Sequence, residues 1–249
     1  MKIGVYGLGR FGMFWAKMFA AHPHFEVLGY NRTPKRADEI PEGIRIVSLE
    51  ELCTADALFL CVAISSVEDV LKRIAPLVGE STCVMDTCSV KVHPSRLMRD
   101  LLPEGVQIIA THPMFGPDSG RNGVAGLPLV FSPQRCDEQT KQQWKDIFSD
   151  LFALNVIQMS AEEHDREAAF TQGITHFVGR VLGELELKSS EIATEGYKGL
   201  LHIIEQTCND PMSLFFDLQR YNPYTRDMHV KLQASIDDVM ERLRQADSF

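Results

Sequence analysis

The chain has six cysteines but no Cys-x-x-Cys pair: Cys53, Cys61, Cys83, Cys88, Cys136 and Cys208 stand apart, most of them in apolar runs such as Leu58-Phe59-Leu60-Cys61-Val62. They read as small buried residues of a reducing compartment, which excludes a disulfide frame and leaves no metal site to expect. No apolar run approaches the roughly 20 residues that a membrane helix needs. Basic residues are in deficit, with 25 Lys and Arg against 34 Asp and Glu and a formal net charge of −9. That balance argues against a nucleic-acid partner, whose footprint is a basic face. An anionic ligand must instead be held by a few placed cations or by backbone amides. Internal repeats and low-complexity linkers are absent. A strand pattern follows Met1 at once, without a signal or transit segment, so a cytoplasmic protein is expected; a plastid protein with its transit peptide removed would read the same.

Apolar residues make up 45 % of the 249 and charged residues 24 %, which excludes a disordered or coiled-coil architecture. Strands are predicted at Lys2–Tyr6, Phe25–Tyr30, Arg45–Val47, Ala57–Val62, Thr82–Asp86 and Val106–Thr111, then at Pro128–Phe131 and Val156–Met159. Helices are predicted near 10–21, 49–53, 66–77, 94–101 and 137–152, two of them opened by capping-box spacing at Ser48-x-x-Glu51 and Ser66-x-x-Asp69. This alternation predicts an α/β fold, a Rossmann-type doubly wound sheet with helices on both faces. After residue 160 the strand signal stops. Phe170, Ile174, Phe177, Val178, Val181, Leu182 and Leu185 recur at spacings of three and four. Further helices are predicted near 189–208, 211–220 and 224–246, with Asp210 as an N-cap and Pro211 at the first helical position. An α/β domain over 1–160 and an all-α domain over 161–249 are expected. The second is small with broad apolar faces, so a homodimer built through it is expected.

Gly7-Leu8-Gly9-Arg10-Phe11-Gly12 is a G-x-G-x-x-G run between a predicted strand and a predicted helix, the context in which it binds a dinucleotide. Gly7 permits the tight turn, Gly9 admits a pyrophosphate, Gly12 lets helix and strand pack, and free amides at the helix start meet the phosphate charge. About 20 residues on, an acidic residue would bind both ribose hydroxyls and repel a 2′-phosphate. This chain has Asn31-Arg32-Thr33-Pro34-Lys35-Arg36 there. Asn31 and Thr33 offer hydrogen bonds and Arg32 a guanidinium, which predicts NADP over NAD. Cys61, Val62 and Ser65, after the fourth strand, are further expected cofactor contacts.

Ligands of open α/β sheets lie off the carboxyl ends of the strands. Ser65, Ser89, Lys91 and His112 all fall at that edge. A lone buried histidine is commonly a satisfied core residue, but beside a cofactor crevice His112 reads as a catalytic base, with Ser89 orienting it or the substrate hydroxyl. The segment Gly116–Gly126 reads either as a mobile rim or as a solvated connection. Gln172, His176 and Arg180, at i, i+4 and i+8, share one side of a helix. They read either as the wall of a wet cleft or as a solvent-facing stripe. Gly173, Gly179 and Gly183 nearby would allow close packing.

The run Thr111-His112-Pro113-Met114-Phe115-Gly116-Pro117-Asp118-Ser119-Gly120 resembles the active-site segment of the prephenate/arogenate dehydrogenases, most of all the plant-type arogenate dehydrogenase branch. Ser89-Val90-Lys91 resembles that family's serine loop, and Ala161–Asp165, Thr175–Arg180 and Gly196–Leu201 resemble further segments, so the likeness covers nearly the whole chain. It implies NADP-dependent oxidative decarboxylation of arogenate or prephenate in tyrosine biosynthesis. Hydride leaves the ring carbinol, carbon dioxide is lost and the ring becomes aromatic. It further implies a dinucleotide-binding first domain and a substrate-binding, dimerising second one. His112 and Ser89 become the catalytic pair, and His176, Arg180, Lys198, Gln172 and Ser119 the substrate contacts. Lys198 stands where bacterial members carry an arginine, and Asp118 is a candidate partner for an amino-bearing side chain. Two alternatives stay open on sequence. A β-hydroxyacid dehydrogenase shares the layout but relies on a lysine in its helical domain. An NADP-sensing module without turnover would not need His112, Ser89 and His176 together.

Overall fold

The computed structural model describes residues 1–246, and its strands fall on the predicted β-branched runs: β1 Lys2–Tyr6, β2 Glu26–Tyr30, β3 Ile44–Ile46, β4 Ala57–Leu60, β5 Cys83–Asp86, β6 Gln107–Pro113, β7 Pro128–Arg135 and β8 Asn155–Gln158. They form one sheet in the order β3-β2-β1-β4-β5-β6-β7-β8. The strands from β1 to β6 pair in parallel. Helices α1 Arg10–Ala20, α2 Leu49–Leu52, α3 Val67–Ile74 and α4 Val92–Leu101 lie between them in the chain. The strand order reverses between β1 and β4, which opens the crevice at which such sheets bind dinucleotides.

The sheet is mixed rather than wholly parallel. β7 pairs antiparallel with β6, Val130 opposite His112. Residues 114–127 carry no helix, and a parallel return needs a crossover, usually a helix. β8 then pairs parallel with β7 after α5, Glu138–Asp146, and a π-helical turn at Ile147–Leu151.

Alternation of side chains sends Ile3, Val5, Val27, Phe59, Met85, Ile109 and Phe131 to the face that packs with Trp15 and Phe19 of α1 and Trp144 of α5. Ring centroids lie 5.2 Å apart for Phe19–Phe59, 5.6 Å for Trp15–Phe59 and 5.5 Å for Phe59–Trp144. Leu58, Leu60, Val84 and Ile108 point the other way and are equally buried, as are Val67, Leu71 and Ile74 of α3 and Met98 of α4. Each such side chain contributes about 1.5–3 kcal/mol on leaving water, so both faces of the sheet must be covered.

The chain divides into two compact units, Met1–His164 and the part from Asp165 on. Helix α6, Ala161–Ala168, spans the division. The second unit continues with a π-helical turn at Ala169–Gly173, then α7 Ile174–Gly183, α8 Glu195–Cys208, α9 Met212–Tyr221 and α10 Thr225–Ala246. Two glycines let α7 and α8 meet. A Cβ on Gly179 would lie 2.2 Å from Thr207 Oγ1, and one on Gly183 would lie 3.1 Å from Cys208 Sγ.

Three local expectations are corrected. α8 begins at Glu195 rather than near 189, because Thr194 caps it by accepting from the Tyr197 amide. Ser66 makes no side-chain cap, since a 3₁₀ turn at Ile64–Ser66 runs straight into α3. Pro211, not Asp210, is the cap residue of α9. Residues 247–249 of the expected helical domain lie outside the described residues. Among the described residues no helix is long and apolar enough to cross a membrane, and no group of three His, Cys, Asp or Glu is placed to hold a metal.

Candidate active site

The turn between β1 and α1 requires its glycines. Gly7 has φ +97°, and a Cβ there would lie 2.4 Å from the Cys61 carbonyl oxygen; one on Gly12 would lie 1.8 Å from that of Gly7. Gly9 differs, because a Cβ on it would meet nothing within 4 Å. Its small size keeps space open at the start of α1, where Gly9 itself is the cap and offers no side chain to the first amides. That is the cradle a pyrophosphate takes at a helix N-terminus, so the residues present fit a dinucleotide.

A groove of about 650 Å³ leads from this cradle, and Asn31, Arg32, Thr33, Cys61, Val62 and Arg73 help to line it. Asn31 Oδ1 accepts from the Leu8 amide at 2.9 Å, and its Nδ2 donates to the Thr33 carbonyl at 2.7 Å. The side chain thus fastens the end of β2 to the glycine loop. Arg32 and Thr33 are exposed. Burial pushes the Cys61 thiol up to about 12, so it is a neutral wall atom.

The other expected cofactor contacts are placed differently. Leu8 is buried, with its amide committed to Asn31. The Phe11 ring stacks on Trp15 at 5.6 Å, so only its main chain belongs to the loop surface. Arg10 pairs with Asp118 at 2.5 Å, both exposed. Ser66 lines the groove, whereas Ser65 is exposed on the 3₁₀ turn.

β6 delivers His112 to the carboxyl edge at 3 % exposure. Its Nδ1 lies 2.8 Å from Nε2 of His164, in the first turn of α6. This is the ring's one hydrogen bond among the described residues, which leaves Nε2 for a ligand. Burial first, then His164 and Lys91, push the His112 pKa well below the ordinary 6.5. The ring is therefore neutral near neutral pH. An Nε2 that accepts a proton requires the tautomer protonated at Nδ1, and that tautomer donates to His164.

Beneath it, Lys91 and Asp86 form an ion pair with no exposure on either side chain. Lys91 also donates to the Thr111 carbonyl at 2.6 Å. Asp86 accepts from the amides of Cys88 at 3.0 Å and Thr111 at 3.3 Å, and the Thr111 hydroxyl donates to the Asp86 carbonyl at 2.6 Å. This network ties the end of β5 to the residue preceding His112. Ser89 is half-buried and makes no hydrogen bond among the described residues. The contact that orients His112 is His164, a residue that sequence reasoning did not single out.

The Gly116–Gly126 segment is fastened where it passes α1. The Gly116 amide donates to Ser119 Oγ at 3.0 Å, and the Gly120 amide to the Gly116 carbonyl at 2.8 Å. A Cβ on Gly120 would lie 2.6 Å from the Phe14 ring. Ser119 is engaged within its own turn and Asp118 with Arg10.

In the second unit, Gln172 sits on the π-helical turn, a feature frequent at functional sites, and His176 and Arg180 follow on α7. His176 is 6 % exposed, and burial lowers its pKa. Arg180 Nη2 donates to the Asp210 carbonyl at 2.5 Å. Yet Gln172 Oε1, His176 Nδ1 and Arg180 Nε are buried without a hydrogen-bond partner among the described residues. Buried polar atoms are nearly always paired, so three unpaired ones set this stripe apart from a solvated face. Lys198 is exposed and pairs with Glu195 at 2.6 Å.

The family described as "Prephenate dehydrogenase, nucleotide-binding domain" matches residues 19–153, and "TYRAAT1-like, C-terminal domain" matches residues 181–248. Arogenate dehydrogenase 1, chloroplastic, of Arabidopsis thaliana is 36% identical over 98% of this chain and 39% of its own length. Arogenate dehydrogenase 2, chloroplastic, of the same plant is 35% identical over 98% of this chain and 70% of its own. The chain therefore spans well under half of the first relative. Two solved structures share the fold. Prephenate dehydrogenase from Aquifex aeolicus, in complex with hydroxyphenyl propionate and NAD+, has a TM-score of 0.78 at 19% identity, covering 99% of this chain and 92% of that one. Synechocystis arogenate dehydrogenase has a TM-score of 0.71 at 18% identity, covering 98% and 93%. By the family match and by its identity with the plant enzymes, the chain belongs to the prephenate/arogenate dehydrogenases, oxidoreductases with an NAD(P)-binding Rossmann domain.

Proposed function

We propose that the chain oxidises arogenate or prephenate with NADP, the carbinol-bearing ring losing carbon dioxide and becoming aromatic. The observation that carries this reading is His112, buried and neutral at the sheet edge, with Nδ1 engaged by His164 and Nε2 without a hydrogen-bond partner among the described residues. Bound NADP supplies the hydride acceptor. His112 Nε2 takes the proton of the ring hydroxyl. His164 accepts the Nδ1–H bond throughout, which holds the tautomer and spreads the charge that the ring gains. The Asp86–Lys91 pair keeps the backbone before His112 in place. The Ser89 hydroxyl is assigned to the substrate hydroxyl. Aromatisation makes the overall step downhill, so the protein's task is alignment and proton removal.

The carboxylates that do not react are assigned to Gln172, His176 and Arg180, with Lys198 and Ser119 as outlying contacts. His176→Ala and Arg180→Ala are each expected to raise KM more than they lower kcat, because they touch groups bound equally in ground and transition states. Unchanged KM in both would remove the stripe from the site. On the exposed side of α10, Ile236, Val239, Met240 and Leu243 recur at i, i+3, i+4 and i+7, a pattern that suits a helical seam of a homodimer. The free cysteines suit a reducing compartment, cytoplasm or plastid.

The test is incubation of the chain with each compound and each cofactor. Reduced cofactor is expected, with a higher kcat/KM for NADP, since Asn31, Arg32 and Thr33 present no carboxylate to the ribose. No reduced cofactor from either compound overturns the activity. A higher kcat/KM for NAD overturns the cofactor preference alone.

A further inference from the structure

Arg73 of α3 has no part in the proton transfer, yet its guanidinium is held in place. Nη1 donates to the Tyr6 hydroxyl at 3.0 Å and Nη2 to the Tyr30 hydroxyl at 3.0 Å. The two tyrosines end β1 and β2 and are direct partners in the parallel register, with ring centroids 5.0 Å apart. The guanidinium lies 6.0 Å from the Tyr30 ring centre. Two of its five N–H groups are thus committed to hydroxyls, and no salt bridge among the described residues neutralises it. The same holds for Arg32, whereas Lys72 pairs with Glu68 and Arg36 with Asp38 and Glu39. Both unneutralised guanidiniums line the cofactor groove, and both act on the Tyr6 hydroxyl. Asp69 also lines that groove but does not pair with either arginine.

We propose that Arg73 is a specificity-determining residue that, together with Arg32, binds the 2′-phosphate of NADP, its donors aimed in advance by Tyr6 and Tyr30. This rests on the reading of the groove as the cofactor site. In a chain of net charge −9, an exposed anionic group beyond the helix amides is drawn where cations stand unpaired. An arginine already ordered by two hydrogen bonds loses little further freedom on binding, and its planar fork matches phosphate oxygens.

Calorimetric binding of adenosine 2′,5′-bisphosphate and adenosine 5′-monophosphate to the full chain tests this. Arg73→Gln is expected to weaken the bisphosphate by about tenfold or more while changing the monophosphate by less than about twofold. Arg73→Lys should recover only part of the loss, because an ammonium cannot reproduce the planar fork. Retained monophosphate binding reports an intact groove in each variant. Equal weakening of both ligands would make Arg73 a packing partner of the adenine and overturn the proposal. So would unchanged bisphosphate binding in a chain whose wild type prefers it. A wild type without that preference would overturn the NADP reading itself, and this proposal with it.

Discussion

Replacing His112 with Asn is expected to lower kcat by at least about 10²-fold, the contribution of a positioned general base, with little change in NADP affinity. Asparagine retains a polar group beside His164 but has no basic nitrogen to receive the hydroxyl proton. The loss should therefore fall on kcat and kcat/KM alike, as for an interaction made in the transition state. The depressed pKa sets the sign of the pH profile. His112 is neutral and competent above its pKa, so protonation removes the base only well below 6.5, on the acid side of an exposed histidine. Steady-state kinetics of wild type and variant check both points. Near-normal turnover in His112→Asn would remove it from the mechanism.

Lys91→Met is expected to destabilise the chain by about 3–5 kcal/mol, because it strands a buried carboxylate. Neither Lys91 nor Asp86 is exposed. Methionine fills the volume of the stem but leaves Asp86 facing only amides and the Thr111 carbonyl without the ammonium it accepted from. Urea unfolding of wild type and variant measures the difference. A loss under about 1 kcal/mol, the scale of an exposed pair, would show that the pair is not structural. The effect should be on stability, in contrast to His112→Asn, which leaves the fold intact.

Strand positions were legible because short apolar β-branched runs are local properties, and parallel strands buried on both faces read as such continuous runs. The glycine loop was legible because its spacing between a strand and a helix is a local pattern, although only Gly12 is required by a clash within the loop and Gly7 is required by the Cys61 carbonyl beyond β4. The direction of β7 was harder to read. The glycine-rich 114–127 stretch lacks a helical period, and that is the signal for a return without crossover. His164 was out of reach, since 52 residues separate it from His112 and only the folded first unit brings the two rings together. The Lys91–Asp86 bond depends on which way two strand-end side chains turn, which spacing does not tell. Arg73 reads as the polar face of α3 until the register of β1 on β2 places two tyrosine hydroxyls against it.

The aromatic cluster has a spectroscopic consequence. The chain has two tryptophans, Trp15 and Trp144, and both are buried in the first unit among the same rings. Trp15 Nε1 has no hydrogen-bond partner among the described residues, so its excited state relaxes among apolar neighbours and emits at short wavelength. Indole fluorescence therefore follows the sheet unit and is silent about the helices after Asp165. Far-ultraviolet circular dichroism follows both. Coincidence of the two denaturation curves, or its absence, tells whether the halves of the chain melt as one cooperative body.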